Sequence, residues 1–272
     1  LQEGPLSLTR ISLPLKAAAK QVPDEAVKGI RYVLGTYSTR FPIRQTDRNQ
    51  NILLASTRID GTVLMPGESF SFNGVVGKRT VKDGFREAPV FVNGRHDTGV
   101  GGGICQVSST LYNAVLLSDL KIVRRQNHSI PVAYVPLGRD ATVDFGNIDF
   151  AFQNSTGEPI ALASKFEKGR LTFSVLGSSP DIKNVKIVAE HLESWSHEEK
   201  VVVDKSLRPG VRRIVDKGGR GHRVAVYRLV SQPGQKERRE KLGTSVYRGG
   251  PRIVAVGPPA EATAPPLAGQ AN

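Results

Sequence analysis

Gly101-Gly102-Gly103-Ile104-Cys105-Gln106-Val107-Ser108-Ser109-Thr110-Leu111-Tyr112 joins a run of three glycines to a helix start and places there the only cysteine in 272 residues. Val107, Leu111, Ala114, Val115 and Leu117 recur at helical spacing, which predicts a helix over 105–118. A lone thiol makes neither an internal disulfide nor a multi-cysteine metal site. The free N–H groups of a helix N-terminus favour the thiolate, so Cys105 is a candidate nucleophile. The alternative is that a single cysteine is apolar filler. The glycines are either a flexible loop or a gap through which a substrate backbone approaches the sulfur. On the second reading, the N–H groups of Cys105 and Gln106, helped by the Gln106 side chain, face an oxyanion. Gly102, Gly103, Gln106, Ser108 and Ser109 are then candidate substrate contacts, although serines in a first helical turn also satisfy local backbone groups.

A thiolate nucleophile needs a base, and the base needs a group to orient it. His128, in Arg125-Gln126-Asn127-His128-Ser129, is the favoured base, with His96 as its rival in what reads as a surface hairpin turn, Asn93-Gly94-Arg95-His96-Asp97. Asp140 and Asp144 bracket an expected strand over 141–145. At ~3.3 Å per residue they stand about 13 Å apart, so only one can touch the same imidazole. Asp140 is preferred because it lies nearer the return from His128. There is no His pair with helical metal spacing, no Cys-x-x-Cys and no Gly-Lys-Ser/Thr after the glycines, so neither a metal nor a cofactor is expected.

The fold class expected is α+β. A mixed helix and antiparallel-sheet domain of catalytic type over 36–177 precedes a small, elongated all-β module over 183–257. Residues 1–35 read as a lead-in from a preceding region, with 13–15 extended and a short helix starting near Pro23-Asp24-Glu25. Asp47 is placed to cap a helix carrying Ile52, Ala55 and Ile59, with Gly61 just past its end. Phe70 and Phe72 alternate with polar residues as in a half-buried strand. Strands are also expected over 121–125, 132–135, 141–145, 150–153, 160–166 and 171–175, and in the module over 185–189, 200–204, 211–215 and 223–229. The Pro- and Ala-rich tail over 258–272 is expected to be disordered.

The net charge of +13 points to anionic partners. Residues 181–252 hold 17 Lys or Arg against 9 Asp or Glu, a net +8. No zinc-finger spacing, RNA-binding signature or aromatic-interleaved basic helix is present, so nucleic acid is not the expected partner. No apolar run approaches the roughly eighteen residues of a membrane helix. Membrane attachment is expected only through an anchor upstream of Leu1.

Several segments together carry a family resemblance: Thr39-Arg40-Phe41, 64–73 (LMPGESFSFN), 101–114 (GGGICQVSSTLYNA), Asn127-His128-Ser129, Tyr134-Val135-Pro136 and 138–143 (GRDATV). Over about 36–175 the chain resembles the VanW-like domain of bacterial surface proteins, named from a vancomycin-resistance cluster. From about 183 to 257 it resembles a G5 domain, a glycine-punctuated β module. The resemblance implies an extracellular, wall- or membrane-anchored protein, and L,D-transpeptidase-like chemistry on peptidoglycan stem peptides. Cys105 would attack the carbonyl of the donor's third residue, His128 would pair with the thiolate and Asp140 would orient His128. Arg125 would bind a substrate carboxylate, with Tyr134 as a further substrate contact. The second module would hold N-acetylglucosamine-containing glycan, or anionic wall polymers through its charge. The Ser-His-Gly-Cys run of better-known L,D-transpeptidases is missing, so a thiol amidase or endopeptidase stands beside transfer. A non-catalytic peptidoglycan-binding or adhesion protein is the contrasting class.

Overall fold

A computed structural model describes residues 24–92, 95–180 and 183–259. The extended stretch expected at 13–15 and the tail from 260 onward lie outside the described residues. The first domain runs α1 (Asp24–Lys28), β1 (Tyr32–Arg40), α2 (Thr46–Ile59), β2 (Val63–Leu64), β3 (Ser69–Ser71), α3 (Phe72–Val76), β4 (Glu87–Val92), β5 (Arg95–Val100) and α4 (Ile104–Leu117). It closes with β6 (Lys121–Arg124), β7 (Ala151–Gln153), β8 (Ile160–Glu167) and β9 (Arg170–Gly177). An antiparallel sheet of order β1-β9-β8-β2 is covered by α4, which lies on β1 and β9, and by α2, which packs on α4 and β8. A small sheet β3-β7-β6 and the hairpin β4-β5 complete the domain.

Helix α4 is the centre of this domain. Its apolar stripe is buried against Ile52, Phe150, Phe152 and Phe173, at roughly 1.5–3 kcal/mol for each large side chain taken out of water. Unlike an ordinary surface helix it is also buried on its polar face. Thr110 bonds Thr39 at 2.8 Å, and Asn113 donates to the Arg139 carbonyl at 2.7 Å. Those polar contacts explain where the sequence reading fails. Residues 132–135 and 141–145 are not strands, and only an isolated Asp144–Ile148 bridge interrupts the irregular path between β6 and β7. Around 139–141 the β-propensity of that path is overridden because the backbone groups of Arg139 and Ala141 bond to α4 side chains instead of a neighbouring strand. Ala141 N–H donates to Ser109 Oγ at 2.9 Å, and Ser108 Oγ donates to Ala141 O at 2.6 Å.

Two smaller expectations also change. Helix α2 starts at Thr46 without a side-chain cap, and Asp47 pairs with Arg86 at 2.8 Å. Phe72 does not extend the strand of Phe70 but opens α3, because Ser71 Oγ caps that helix at the Gly74 N–H, 3.0 Å away. The hairpin expected around Asn93-Gly94 is β4-β5, its two turn residues lying outside the described residues.

The second domain is all-β: β10 (Asn184–Trp195), β11 (Glu199–Val203), β12 (Arg212–Asp216), β13 (Gly221–Ser231), β14 (Arg238–Tyr247) and β15 (Arg252–Val256). It forms two three-stranded sheets, β10-β13-β14 and β11-β15-β12, with β11 and β15 parallel and all other pairs antiparallel. The first of these sheets is fastened to the first domain. Buried Arg228 donates to Leu120 O at 2.8 Å and pairs with Glu240 at 2.7 Å and Asp119 at 3.3 Å. Arg248 N–H reaches Ser129 O at 2.7 Å, and Asn127 Nδ2 reaches Val246 O at 2.8 Å. Ile187 and Leu242 pack on the first domain's core, while Leu137 packs on the second's.

Gly138 sits at this seam with φ +81°, and an added Cβ would collide with Val226 Cγ2. Both the left-handed backbone and the close approach require glycine. Gly138→Ala is expected to destabilise the protein by about 1–3 kcal/mol, measured as a lowered denaturation midpoint. An unchanged midpoint would mean that the seam is looser than described.

Candidate active site

Cys105 occupies the first turn of α4, behind Gly103, whose φ of +104° turns the chain into the helix. The three glycines are pressed upon by the protein itself. A Cβ at Gly102 would stand 2.6 Å from Pro89 O and 2.8 Å from Ala88 Cβ. A Cβ at Gly101 would stand 3.1 Å from Arg79 Cβ, and one at Gly103 would stand 3.0 Å from Arg48 Cγ. Buried Asn51 holds the run by donating to Gly102 O at 3.0 Å. The expectation that Gly102 and Gly103 open a path for substrate is therefore corrected: they admit the hairpin β4-β5 and helix α2 to the start of α4.

The imidazole of His128 stands between Cys105 and Asp140. Its Nδ1 is 2.6 Å from Asp140 Oδ2, and its own backbone N–H donates to the same oxygen at 2.6 Å. With Nδ1–H turned to the carboxylate, Nε2 is the ring nitrogen left for the Cys105 sulfur, which lies close enough for each group to shift the other's ionisation; the thiol itself donates to Val143 O at 3.5 Å. The other carboxylate oxygen, Oδ1, accepts from Tyr247 Oη at 2.5 Å and from Arg125 Nη2 at 3.1 Å. Asp140 is 1% exposed. Asp144, the alternative, is exposed and accepts from Asn147 Nδ2 at 2.7 Å, which settles the choice between the two carboxylates geometrically. For His96, the backbone pairs with Phe91 in β4-β5.

The electrostatics follow from this chain of contacts. Burial opposes the charged form of each member, and the partners outweigh it. For His128, burial pulls the pKa down, but the bonds to Asp140 and Cys105 raise it to about 9. Cys105 would be pushed up by burial, yet the hydrogen bond and charge of His128, the Val143 backbone and the Arg79 charge bring it below the ordinary thiol value. Burial likewise raises Asp140, while His128, Arg125 and Tyr247 hold it below the usual carboxylate range. Both shifts favour the thiolate–imidazolium form of the pair over the neutral one, and the Cys105 side chain is half-buried.

Several expected substrate contacts turn inward. Gln106 donates to Thr39 Oγ1 and Arg40 O, both at 2.9 Å, and accepts from Arg48 at 2.7 Å, so its side chain is not an oxyanion donor. Its backbone N–H is engaged with Gly103 O at 3.0 Å. The Cys105 N–H takes no backbone acceptor among the described residues. Ser108 and Ser109 are buried and hold the 139–143 segment. Arg125 is also corrected. Its Nε donates to Asp140 O at 2.7 Å, Nη1 to Ser245 Oγ at 2.7 Å and Nη2 to Gly138 O at 3.1 Å, with only 12% of its side chain exposed. Every nitrogen of its guanidinium is thus engaged inside the protein. Tyr134 remains at the site, its ring edge-on to His128 at 6.5 Å.

The site also includes residues that the sequence reading missed. Tyr247 and Ser245 come from β14, more than a hundred positions away, and nothing local marks them. Arg48 and Arg79 flank the helix start, and the only hint of them was the row of glycines that makes room. A cleft of about 500 Å³ lined by Asn73, Arg124, Phe145 and Asp149, among others, does not reach Cys105 but meets the site through Phe145, whose ring lies 5.7 Å from the Arg79 guanidinium.

Comparison with known proteins agrees with the two-part architecture. Residues 47–176 match the family described as "VanW like protein", and residues 188–259 match the G5 domain. The chain is a VanW-like domain followed by a G5 domain, as the quoted motifs imply. It is 47% identical over 186 residues to "Uncharacterized protein YoaR" of Bacillus subtilis, covering 68% of this chain and 60% of that protein. It is 32% identical over 119 residues to "Vancomycin B-type resistance protein VanW" of Enterococcus faecalis, covering 42% and 43%. The chain thus spans less than two thirds of the length of either relative. Among solved structures it matches "Crystal structure of HP0197-G5" at 28% identity and TM-score 0.17, covering 28% of this chain and 95% of that one. It also matches "IgA1 Protease G5 domain structure" at 23% identity and TM-score 0.20, covering 29% and 96%. The pairing of domains points to a protein of the cell envelope, associated with the wall. Among the described residues no helix is long and apolar enough to cross a membrane.

Tyr247→Phe removes the hydroxyl that donates to Asp140 and accepts the Gly138 N–H at 2.6 Å. It is expected to cost about 1–3 kcal/mol of stability and to slow Cys105 alkylation at neutral pH. Thermal unfolding and iodoacetamide kinetics check both effects; a variant with unaltered thiol reactivity would show that the second domain does not support the His128–Asp140 pair.

Proposed function

We propose that the protein is a cell-envelope cysteine acyl-transferase acting on peptidoglycan stem peptides, L,D-transpeptidase-like, through a thioacyl intermediate on Cys105. The observation that carries this reading is the imidazole held between the Cys105 thiol and the Asp140 carboxylate, 2.6 Å from the latter. The substrate class is supported by the VanW-like and G5 pairing and by the printed name of the Enterococcus relative.

The thiolate attacks the carbonyl carbon of the donor's third residue, a diaminopimelate-type centre in the family resemblance. The carbonyl electron pair moves onto oxygen, against the Cys105 N–H. His128, protonated, gives its proton to the departing D-alanine nitrogen, the C–N bond breaks and a thioester remains. His128, now neutral, takes a proton from the acceptor amine as it attacks the thioester, and the sulfur leaves as thiolate. Water in place of the amine would give hydrolysis, the amidase or endopeptidase variant. The G5 domain would hold the enzyme on N-acetylglucosamine-containing glycan or on anionic wall polymers, the latter favoured by the net +8 of residues 181–252.

The activity profile follows from the two ionisations. Acid removes the thiolate, at a pH below the ordinary thiol value, and base removes the imidazolium as pH rises through about 9. A bell-shaped kcat/KM with its basic limb near 9 is expected; a profile that only rises through the free-thiol range would contradict the ion pair. His128→Ala is expected to slow iodoacetamide alkylation of Cys105 at neutral pH by about tenfold or more, because the thiol returns toward its value of about 8.5 or higher.

The direct test is incubation with disaccharide-tetrapeptide, read by mass spectrometry. A 3–3 crosslinked dimer, a D-alanine exchange product or an acyl adduct on Cys105, each lost in Cys105→Ala, is the expected outcome. Complete inactivity of folded protein that still sediments with cell wall would replace the proposal with a non-catalytic wall-binding protein.

A further inference from the structure

We infer that Arg48 and Arg79, on either side of the Cys105 helix start, form a carboxylate-binding subsite, so that the acyl donor is one whose departing residue is C-terminal and carries a free carboxylate. This deepens the reading of Cys105 as the nucleophile and rests on it.

The unengaged donors supply the first observation. Arg79 Nε, Nη1 and Nη2 are all shielded from solvent and have no hydrogen-bond partner among the described residues. Its guanidinium lies over two rings, 5.6 Å from the Phe72 centroid and 5.7 Å from that of Phe145. Ring contact offsets part of the desolvation but satisfies none of the five N–H donors. Asp149 and Asp144 lend charge from nearby. Both Asp149 oxygens, however, are held by other donors, Ser71 Oγ at 2.6 Å and the Asn73 N–H at 2.9 Å, and Asp144 Oδ2 by Asn147 at 2.7 Å. Arg48 is half engaged, with Nη2 on Gln106 at 2.7 Å and Nη1 shielded without a partner.

Placement supplies the second. Gly101 and Gly103 lack side chains where the stems of Arg79 and Arg48 press in at 3.1 and 3.0 Å. Both charges are felt by the Cys105 sulfur. Asp140 is shared by Arg125 and His128, and of the anions acting on Arg79 the Cys105 sulfur acts most strongly, ahead of Asp149 and Asp144. Acylation removes that anion and with it the strongest counter-charge of Arg79. A carboxylate beside the scissile bond supplies one, and its planar pair of oxygens matches a guanidinium fork. A C-terminal leaving residue presents its carboxylate one carbon beyond the nitrogen that departs, within reach of a group flanking the sulfur. An internal peptide bond or a C-terminal amide presents none.

The test compares alkylation of Cys105 in the full chain by iodoacetate and by iodoacetamide, two reagents from which the thiolate displaces iodide and which differ in charge. Their rate ratio cancels any change in thiol pKa. With N-acetylcysteine as reference, the wild-type ratio is expected to favour iodoacetate by about tenfold more, a preference worth about 1.4 kcal/mol. Arg48→Gln and Arg79→Gln should each bring the ratio toward the reference, and Arg79→Lys should fall between. A wild-type ratio equal to the reference, or one unmoved in folded variants, overturns the subsite. A second arm offers tetrapeptide donors ending in a free carboxylate or an amide. A charge-selective thiol that turns over neither donor would retain the subsite and refute the stem-peptide reading. Equal turnover of both donors, with a reference-like ratio, would refute the subsite and leave the enzyme reading standing.

Discussion

One buried carboxylate organises this molecule. Asp140 receives the backbone N–H and ring Nδ1 of His128, the Arg125 guanidinium and the Tyr247 hydroxyl. A carboxylate this far from water is tolerated only because these donors replace its hydration, and removing one charged partner of such a set typically costs 3–5 kcal/mol. Its folded pKa lies below the ordinary one. The stability it contributes is therefore present above the unfolded-state value of about 3.9 and fades as pH falls through the folded value. Ionised Asp140 orients His128 through both its ring Nδ1 and its backbone N–H.

The same carboxylate explains why the G5 domain is more than an appendage. Tyr247 bonds Asp140 while accepting the Gly138 N–H, and Ser245 accepts from Arg125. Arg228, Asp119 and Glu240 form a second, largely buried polar joint between the domains. The irregular segment between β6 and β7 is held by α4 on one side and by β14 on the other. That path, without regular structure of its own, carries His128, Tyr134 and Asp140.

Much of this was legible in the sequence. Helix α4 was visible from its periodicity, and Cys105 at its head from the glycines. His128 and Asp140 were reachable by asking what a thiolate needs. The failures share one physical origin, long-range contacts that local pattern does not encode. Residues 132–135 and 141–145 have strand composition, but neither forms a strand, and the Ala141 backbone is claimed by Ser108 and Ser109. Arg125 looked like a substrate ligand because it neighbours His128, yet it is engaged by Asp140 and Ser245. Three glycines before a thiol suggest room for a substrate, whereas Arg48, Arg79 and Ala88 fill that room. Tyr247 was out of reach of any local reading.

The central claim is that a folded-state ion pair joins Cys105 to His128. The most direct measurement is a pH titration of thiolate ultraviolet absorbance, wild type minus Cys105→Ser. A thiolate signal already present at neutral pH, and lost only on acidification, is what the geometry requires. A signal that first rises near the free-thiol value of about 8.5 would contradict it.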